Sequence, residues 1–128
     1  MNNLTKYDDF LFDIVHSLES LTKKALNKKV NKDKIIWDPG IGFSKDTKHN
    51  IEILRNIHLF KNYGFPLLIG ASRKRFIGEI LNEPRPKERD IGTLAISCLC
   101  SQQNIHLVRV HNVKINHQVL KVADHIFR

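Results

Sequence analysis

Apolar residues in the first part of the chain recur at Leu11, Ile14, Val15, Leu18, Leu21 and Ala25, the spacing of one face of a helix. Thr5 followed three residues later by Asp8 resembles a capping box with Asp in place of Glu, and marks the start of that helix. A polar, basic stretch from Asn27 to Asp33 then leads into the short apolar run Ile35-Ile36-Trp37. This run has the composition of a parallel strand covered on both faces, and Pro39 and Gly40 forbid its continuation. A second helix is expected from Thr47 to about Tyr63, with Ile51, Leu54, Ile57 and Phe60 inward and Gly64 as its stop. Pro66 to Ile69 reads as the next strand and Phe76 to Leu81 as a short helix, followed by a loop, Asn82 to Lys87, that contains two prolines. Arg89 to Gln103 predicts a helix with Ile91, Leu94, Ala95, Cys98 and Leu99 inside. In a third strand, Ile105 to Val110, alternation puts Leu107, Arg109 and His111 on one face and His106, Val108 and Val110 on the other. Asn112 suits the cap of a last helix whose inner face is Ile115, Val119, Val122 and Ile126.

The order is α-βα-βα-βα, an α/β pattern that predicts three parallel strands, adjacent in sequence order and joined by right-handed crossovers. Loops at the carboxyl ends of such strands converge over a rigid scaffold, which is where ligands bind. Each strand here ends in chemistry: Asp38 after the first, Ser72-Arg73-Lys74 after the second, Arg109 and His111 after the third. Asp38-Pro39-Gly40 also reads as no more than a turn, since all three residue types favour one.

Composition narrows the class. The 128 residues amount to one domain, and 41% hydrophobic residues supply a globular core without the signature of disorder. A net charge of +8 and a pI near 9.7 allow an anionic ligand, while lysines such as Lys23, Lys24, Lys28 and Lys29 mark a solvated helix end. A nucleic-acid module would need interleaved aromatics or a basic recognition helix, and neither is present. Cys98 and Cys100 lie two apart in a helical pattern, too close to bridge, which points to a reducing compartment. No stretch approaches the roughly twenty apolar residues of a membrane span, so a soluble protein without a membrane partner is expected. His16, His49, His58, His106, His117 and His125 have no metal-ligand spacing and are assigned to surface or packing.

The three strand ends bring a carboxylate, Asp38, beside the cations Lys74 and Arg109, with His111, Ser72 and the Phe43 ring. Such a set suits a flat polar heterocycle joined to an anion. A carboxylate accepts paired ring N–H donors, Lys offers a point charge to a carbonyl or ring nitrogen, and Arg with His forms a clamp for phosphate. Against this stands a structural ion pair between Asp38 and Lys74 and a loop role for His111.

Asp38-Pro-Gly-Ile-Gly-Phe-Ser-Lys45, Gly70-Ala-Ser-Arg-Lys-Arg-Phe-Ile-Gly78, Glu88-Arg-Asp-Ile-Gly-Thr-Leu-Ala95 and Val108-Arg-Val-His-Asn-Val113 resemble, in order, the C-terminal motifs of dihydropteroate synthase. Tyr7-Asp8-Asp9 resembles the segment after that family's fifth strand. The resemblance implies the C-terminal portion of a TIM (β/α)8 barrel over residues 1–128, without the N-terminal half. It implies an enzyme that condenses 6-hydroxymethyl-7,8-dihydropterin diphosphate with p-aminobenzoate to dihydropteroate, releasing pyrophosphate, in folate synthesis. Asp38, Lys74 and Arg109 would hold the pterin, and Arg109 with His111 the diphosphate, so that Lys74, Arg109 and His111 carry the catalysis. Phe43, Ser72 and Arg73 would border the aminobenzoate. Arg75 stands where some members carry a small Ser, so the resemblance gives it no role. Mg²⁺ is the implied cofactor, its Asn ligand lying outside this chain. The missing half or a second copy of the chain would be its partner, in the cytoplasm or an organelle, mitochondrial in a eukaryote. A non-catalytic remnant or interaction module, and a pterin-binding methyltransferase-type domain, are the other readings.

Overall fold

The computed structural model describes residues 6–43 and 45–128, with side chains from residue 9. Thr5 of the expected capping box and Ser44 lie outside the described residues, as does the side chain of Asp8. Helix α1 runs Lys6–Asn27, α2 Thr47–Arg55, α3 Ile57–Phe60, α4 Arg75–Leu81, α5 Asp90–Gln102 and α6 Val113–Phe127. Strands β1, Leu68–Ile69, and β2, Leu107–Val108, pair in parallel with Leu68 opposite Leu107 and Ile69 opposite Val108.

The first expected strand shrinks to a single parallel bridge, Trp37 opposite Leu67, held by Trp37 N–H to the Pro66 carbonyl and Leu68 N–H to the Trp37 carbonyl, both 2.8 Å. The third is shorter than the Ile105 to Val110 of its alternation, although Leu107 N–H and Arg109 N–H each donate at 3.0 Å to Leu67 and Ile69. The three extended segments therefore lie side by side, in sequence order and parallel. Among the described residues Trp37 is bonded along one edge only, and Ile36 is 50% exposed, so this segment is not covered on both faces as its composition predicts. With a neighbour on one side alone, few ladder bonds can form, and the strand assignment shortens accordingly.

A core of Leu11, Val15, Trp37, Ile41, Ile53, Leu54, Ile57, Phe60, Leu67, Ile69, Phe76 and Ile77 lies between this sheet and the helices. Trp37 anchors it. Its indole stacks on Tyr63 at 5.4 Å and on Phe65 at 5.3 Å, and Nε1–H donates to Thr22 Oγ1 at 2.8 Å. The Thr22 hydroxyl donates in turn to the Leu18 carbonyl at 2.7 Å, so a polar residue, not Leu21, joins α1 to the sheet; Leu21 is 61% exposed.

Two other helices differ from their periodicity. The expected 47–63 helix breaks at Asn56, whose side chain donates back to the Glu52 carbonyl at 2.9 Å. A short polar side chain that competes with the backbone ladder favours such a break. The chain continues as α3 and a 3-10 turn, stopping at Gly64 in the left-handed region (φ +85°). In α5, Ile91 and Ala95 face solvent and the buried face carries Thr93, Ser97, Cys100 and Ser101; in α6, Val122 and Ile126 are exposed and Asn116 and Ala123 are buried. Ser97 Oγ donates to Asn116 Oδ1 at 2.7 Å and Ser101 Oγ to Asp124 Oδ1 at 2.5 Å, so polar pairing decides which faces meet. Small hydroxyl residues let the two helices approach closely, and each buried polar group finds its partner. Asn112 caps α6 as expected, accepting from Ile115 N–H at 3.2 Å.

Replacing Thr22 by Val keeps the shape of the side chain but leaves the buried indole N–H without its acceptor. Thr22→Val is expected to lower stability by about 1–3 kcal/mol in urea unfolding, the cost of an unsatisfied buried donor. A loss below about 0.5 kcal/mol would show that the Thr22–Trp37 bond is not what ties α1 to the sheet.

Candidate functional site at the strand carboxyl ends

Parallel pairing in register puts the residues after each extended segment on one rim. Asp38 follows Trp37, Gly70 to Lys74 follow β1, and Arg109 to His111 follow β2. Gly70, Ser72, Lys74, Arg109, Val110 and His111 line a cleft of 290 Å³. Arg109 Nη1 lies 3.7 Å from Asp38 Oδ2, while Asp38 Oδ1 accepts from the Gly40 N–H at 2.9 Å. The carboxylate is thus oriented by its own turn and keeps one oxygen toward the rim. With Arg109 more than half exposed, the pair adds little to stability, and both groups remain available to a ligand.

Lys74 does not pair with Asp38. Its ammonium sits 4.1 Å from the centroid of the Phe43 ring, a cation–π contact that brings the two together at the mouth of the site. Two glycines make this geometry possible. A Cβ on Gly42, where φ is +86°, would come within 2.8 Å of Lys74 Cδ, and one on Gly70 within 2.5 Å of Arg109 Nη2. Gly42 N–H donates to Asn50 Oδ1 at 2.8 Å, and Lys45 Nζ holds the Gly40 and Phe43 carbonyls at 3.0 and 2.9 Å. Burial pushes the Lys45 ammonium below its ordinary range, against the opposing pull of Asp38. Lys45 and Asn50 thus shape the Phe43 loop, a role that sequence reading missed; the only sign was that Lys45 closes the first motif.

Ser72 is buried, 6% exposed, and joins two loops: its Oγ accepts from His111 N–H at 3.1 Å and lies 2.8 Å from His111 Nδ1. The Arg73 guanidinium turns away from the cleft to a forked pair with Asp90, Nε to Oδ1 at 2.8 Å and Nη2 to Oδ2 at 3.1 Å. Hydrogen bonding to Arg73, opposed by desolvation, holds the Asp90 carboxyl below its ordinary value. Arg75 is exposed and pairs with Glu79 at 3.3 Å. Of the histidines assigned to packing, His49 stacks on Phe10 at 4.3 Å and His106 Nδ1 accepts from Leu67 N–H at 3.1 Å. Both cysteines are free, and burial pushes the Cys100 thiol up to about 12, which leaves it inert. Among the described residues no group of three or more His, Cys, Asp or Glu could hold a metal ion, and no helix is long and apolar enough to cross a membrane.

Parallel segments with helical crossovers define an α/β protein with a polar, cation-bearing cleft at the carboxyl ends of its extended segments. Residues 1–111 match the pterin binding enzyme family, and the chain belongs to it. It is 44% identical over its full length to dihydropteroate synthase of Synechocystis sp., covering 44% of that protein. A solved dihydropteroate synthase of Coxiella burnetii in complex with pteroic acid superposes at a TM-score of 0.90 with 30% identity, over 98% of this chain and 46% of that one. A Yersinia pestis dihydropteroate synthase with a sulfonamide drug complex superposes at 0.89 with 31% identity, over 93% and 43%. The chain thus spans less than half the length of these relatives.

Two measurements test the geometry. Gly70→Ala is expected to displace the Arg109 guanidinium from Asp38 and shift its side-chain NMR resonances; unchanged resonances would mean that Arg109 does not lie across the end of β1. The lowered Asp90 carboxyl contributes stability that is present above the ordinary carboxylate range and lost as pH falls through its folded value. Asp90→Asn should therefore flatten the acid limb of the stability-versus-pH curve, and an unaltered limb would remove the pair from the account.

Proposed function

We propose that the chain forms the C-terminal portion of a pterin-binding TIM barrel and supplies the diphosphate and pterin contacts of a dihydropteroate synthase. The observation that carries this is the convergence of Asp38, Lys74, Arg109 and His111 on one rim, with Arg109 and Asp38 3.7 Å apart, in a chain of this family. Asp38 accepts the paired N–H donors of the pterin, Lys74 faces its carbonyl or ring nitrogen, and the Arg109 plane stacks on the ring. Arg109 and His111 receive the diphosphate. Phe43, Ser72 and Arg73 border the aminobenzoate, Arg73 as a fixed part of the wall because Asp90 holds its charge.

In the proposed reaction the amine nitrogen of p-aminobenzoate forms a C–N bond to the pterin methylene carbon as the C–O bond to diphosphate breaks. The amine loses a proton, and pyrophosphate leaves with the bonding pair. Cations fixed where negative charge builds on the leaving oxygen stabilise that transition state without reorganising, and holding the amine in line supplies the rest. The resemblance implies Mg²⁺, but the described residues offer no cluster to bind it, and no step here runs through it. A barrel of this type takes around 250 residues, so the chain would act with the missing units.

The chain alone should show no synthase turnover, and the N-terminal half of the Synechocystis relative supplied in trans should restore it. Lys74→Ala or Arg109→Ala should then reduce kcat/KM on the order of 100- to 1,000-fold, the loss typical of one preorganised charge-stabilising group. Full activity after both substitutions would place the pocket elsewhere, and turnover by the chain alone would end the fragment reading.

A further inference from the structure

Three side chains of the motif Glu88 to Ala95 close on a single residue of the site. Arg73 lies between Ser72 and Lys74 with φ +59°, a left-handed conformation that a non-glycine residue keeps only where its surroundings impose it. The Arg73 backbone and two of its guanidinium nitrogens are held from the start of α5. Its N–H donates to Thr93 Oγ1 at 3.2 Å, its carbonyl accepts from Arg89 Nη1 at 3.0 Å, and its guanidinium forks onto Asp90. Arg89 is itself fixed, Nε donating to the Glu83 carbonyl at 2.9 Å and Nη2 to the Pro84 carbonyl at 3.0 Å.

Arg73 directly follows Ser72, whose Oγ accepts from His111 N–H at 3.1 Å and lies 2.8 Å from His111 Nδ1. The loop after β1 is thus tied to the loop after β2 through Ser72 and His111, and to the start of α5 through Arg73 and Asp90.

We infer that Asp90 is a positioning residue: by clasping Arg73 it fixes the neighbouring Ser72 and Lys74, and through Ser72 also His111, in the arrangement the site requires, without touching the ligand. The inference rests on the proposed roles of Lys74 toward the pterin and of Arg109 and His111 toward the diphosphate. If Arg73 were released, its left-handed conformation would no longer be imposed, and relaxation would swing Lys74 off the Phe43 ring and loosen the His111–Ser72 bond. A part confined to structural stability would lower the unfolding midpoint and leave these side chains as they are.

The test uses the 128-residue chain, inorganic pyrophosphate as the probe, and the isosteric variant Asp90→Asn beside the milder Arg73→Gln. One readout needs no ligand: the ring nitrogen NMR signature of His111, which reports whether Nδ1 stays engaged with Ser72. In both variants this signature should move toward that of a free, tautomer-averaged histidine, and pyrophosphate affinity measured by calorimetry should fall about tenfold. The double variant should be no worse than either single one, since both break the same clasp. Wild-type His111 signals in folded Asp90→Asn and Arg73→Gln, with only the thermal midpoint lowered, would overturn the inference, as would strictly additive losses. Arg109→Ala separates this from the underlying reading. If the parent chain bound no pyrophosphate, or Arg109→Ala bound it equally well, the anion site itself would fall, while the His111 signature would still decide whether Asp90 positions the loop.

Discussion

Parallel register is the constraint on which the rest of the molecule depends. Only because Trp37 lies opposite Leu67, and Leu68 opposite Leu107, do three polar loops from distant parts of the chain leave the sheet at the same level. A shift of one residue in any pairing would turn each side chain to the opposite face, sending Asp38 or Arg109 into the core and Trp37 or Val108 toward the cleft. The register is held by few backbone bonds and by a large buried anchor. Trp37 fills the space between α1 and the sheet, and its one polar atom finds Thr22, so the first segment cannot slide without leaving an indole N–H unsatisfied.

On this frame the site separates groups that are fixed from groups that are free. Ser72, Arg73, Lys45 and Asn50 spend their polar atoms on neighbouring loops, whereas Asp38, Lys74 and Arg109 keep exposed charge at the rim. The division follows from electrostatics. A cation buried in a full set of protein hydrogen bonds has little left for a ligand, while one held loosely over a ring or beside a carboxylate can exchange that weak contact for a stronger one. Around Arg73 the backbone N–H, the carbonyl and two guanidinium nitrogens are all held, which keeps a non-glycine residue left-handed between two site residues.

The helices show where pattern reading works and where it does not. In α1 the apolar spacing identified Leu11 and Val15 correctly, because polar residues occupy most of the other face; its error at Leu21 arose because Thr22, one position on, serves a tryptophan donor. In α5 apolar residues surround the helix, so periodicity could not choose a face, and the choice fell to Ser97 and Ser101 through partners on α6 that lie 19 and 23 residues away. Nothing local to α5 or α6 encodes that pairing. The break at Asn56 is of the other kind, a local competition for backbone acceptors that an amphipathic pattern hides.

Composition and order alone determined the α/β class, the three apolar segments, the helix stop at Gly64, the cap at Asn112 and the placing of Asp38, Lys74, Arg109 and His111 at strand ends. These are short-range consequences of side-chain type: β-branched runs extend, Pro and Gly interrupt them, and an amide caps a helix start. Tertiary structure decided that Asp38 faces Arg109 instead of Lys74, that Lys74 rests on Phe43, and that Arg73 belongs to Asp90. Each of those choices compares competing partners for one charge across 17 to 71 residues of chain. Which partner wins depends on distance and burial in the folded molecule, quantities that no local stretch of the chain contains.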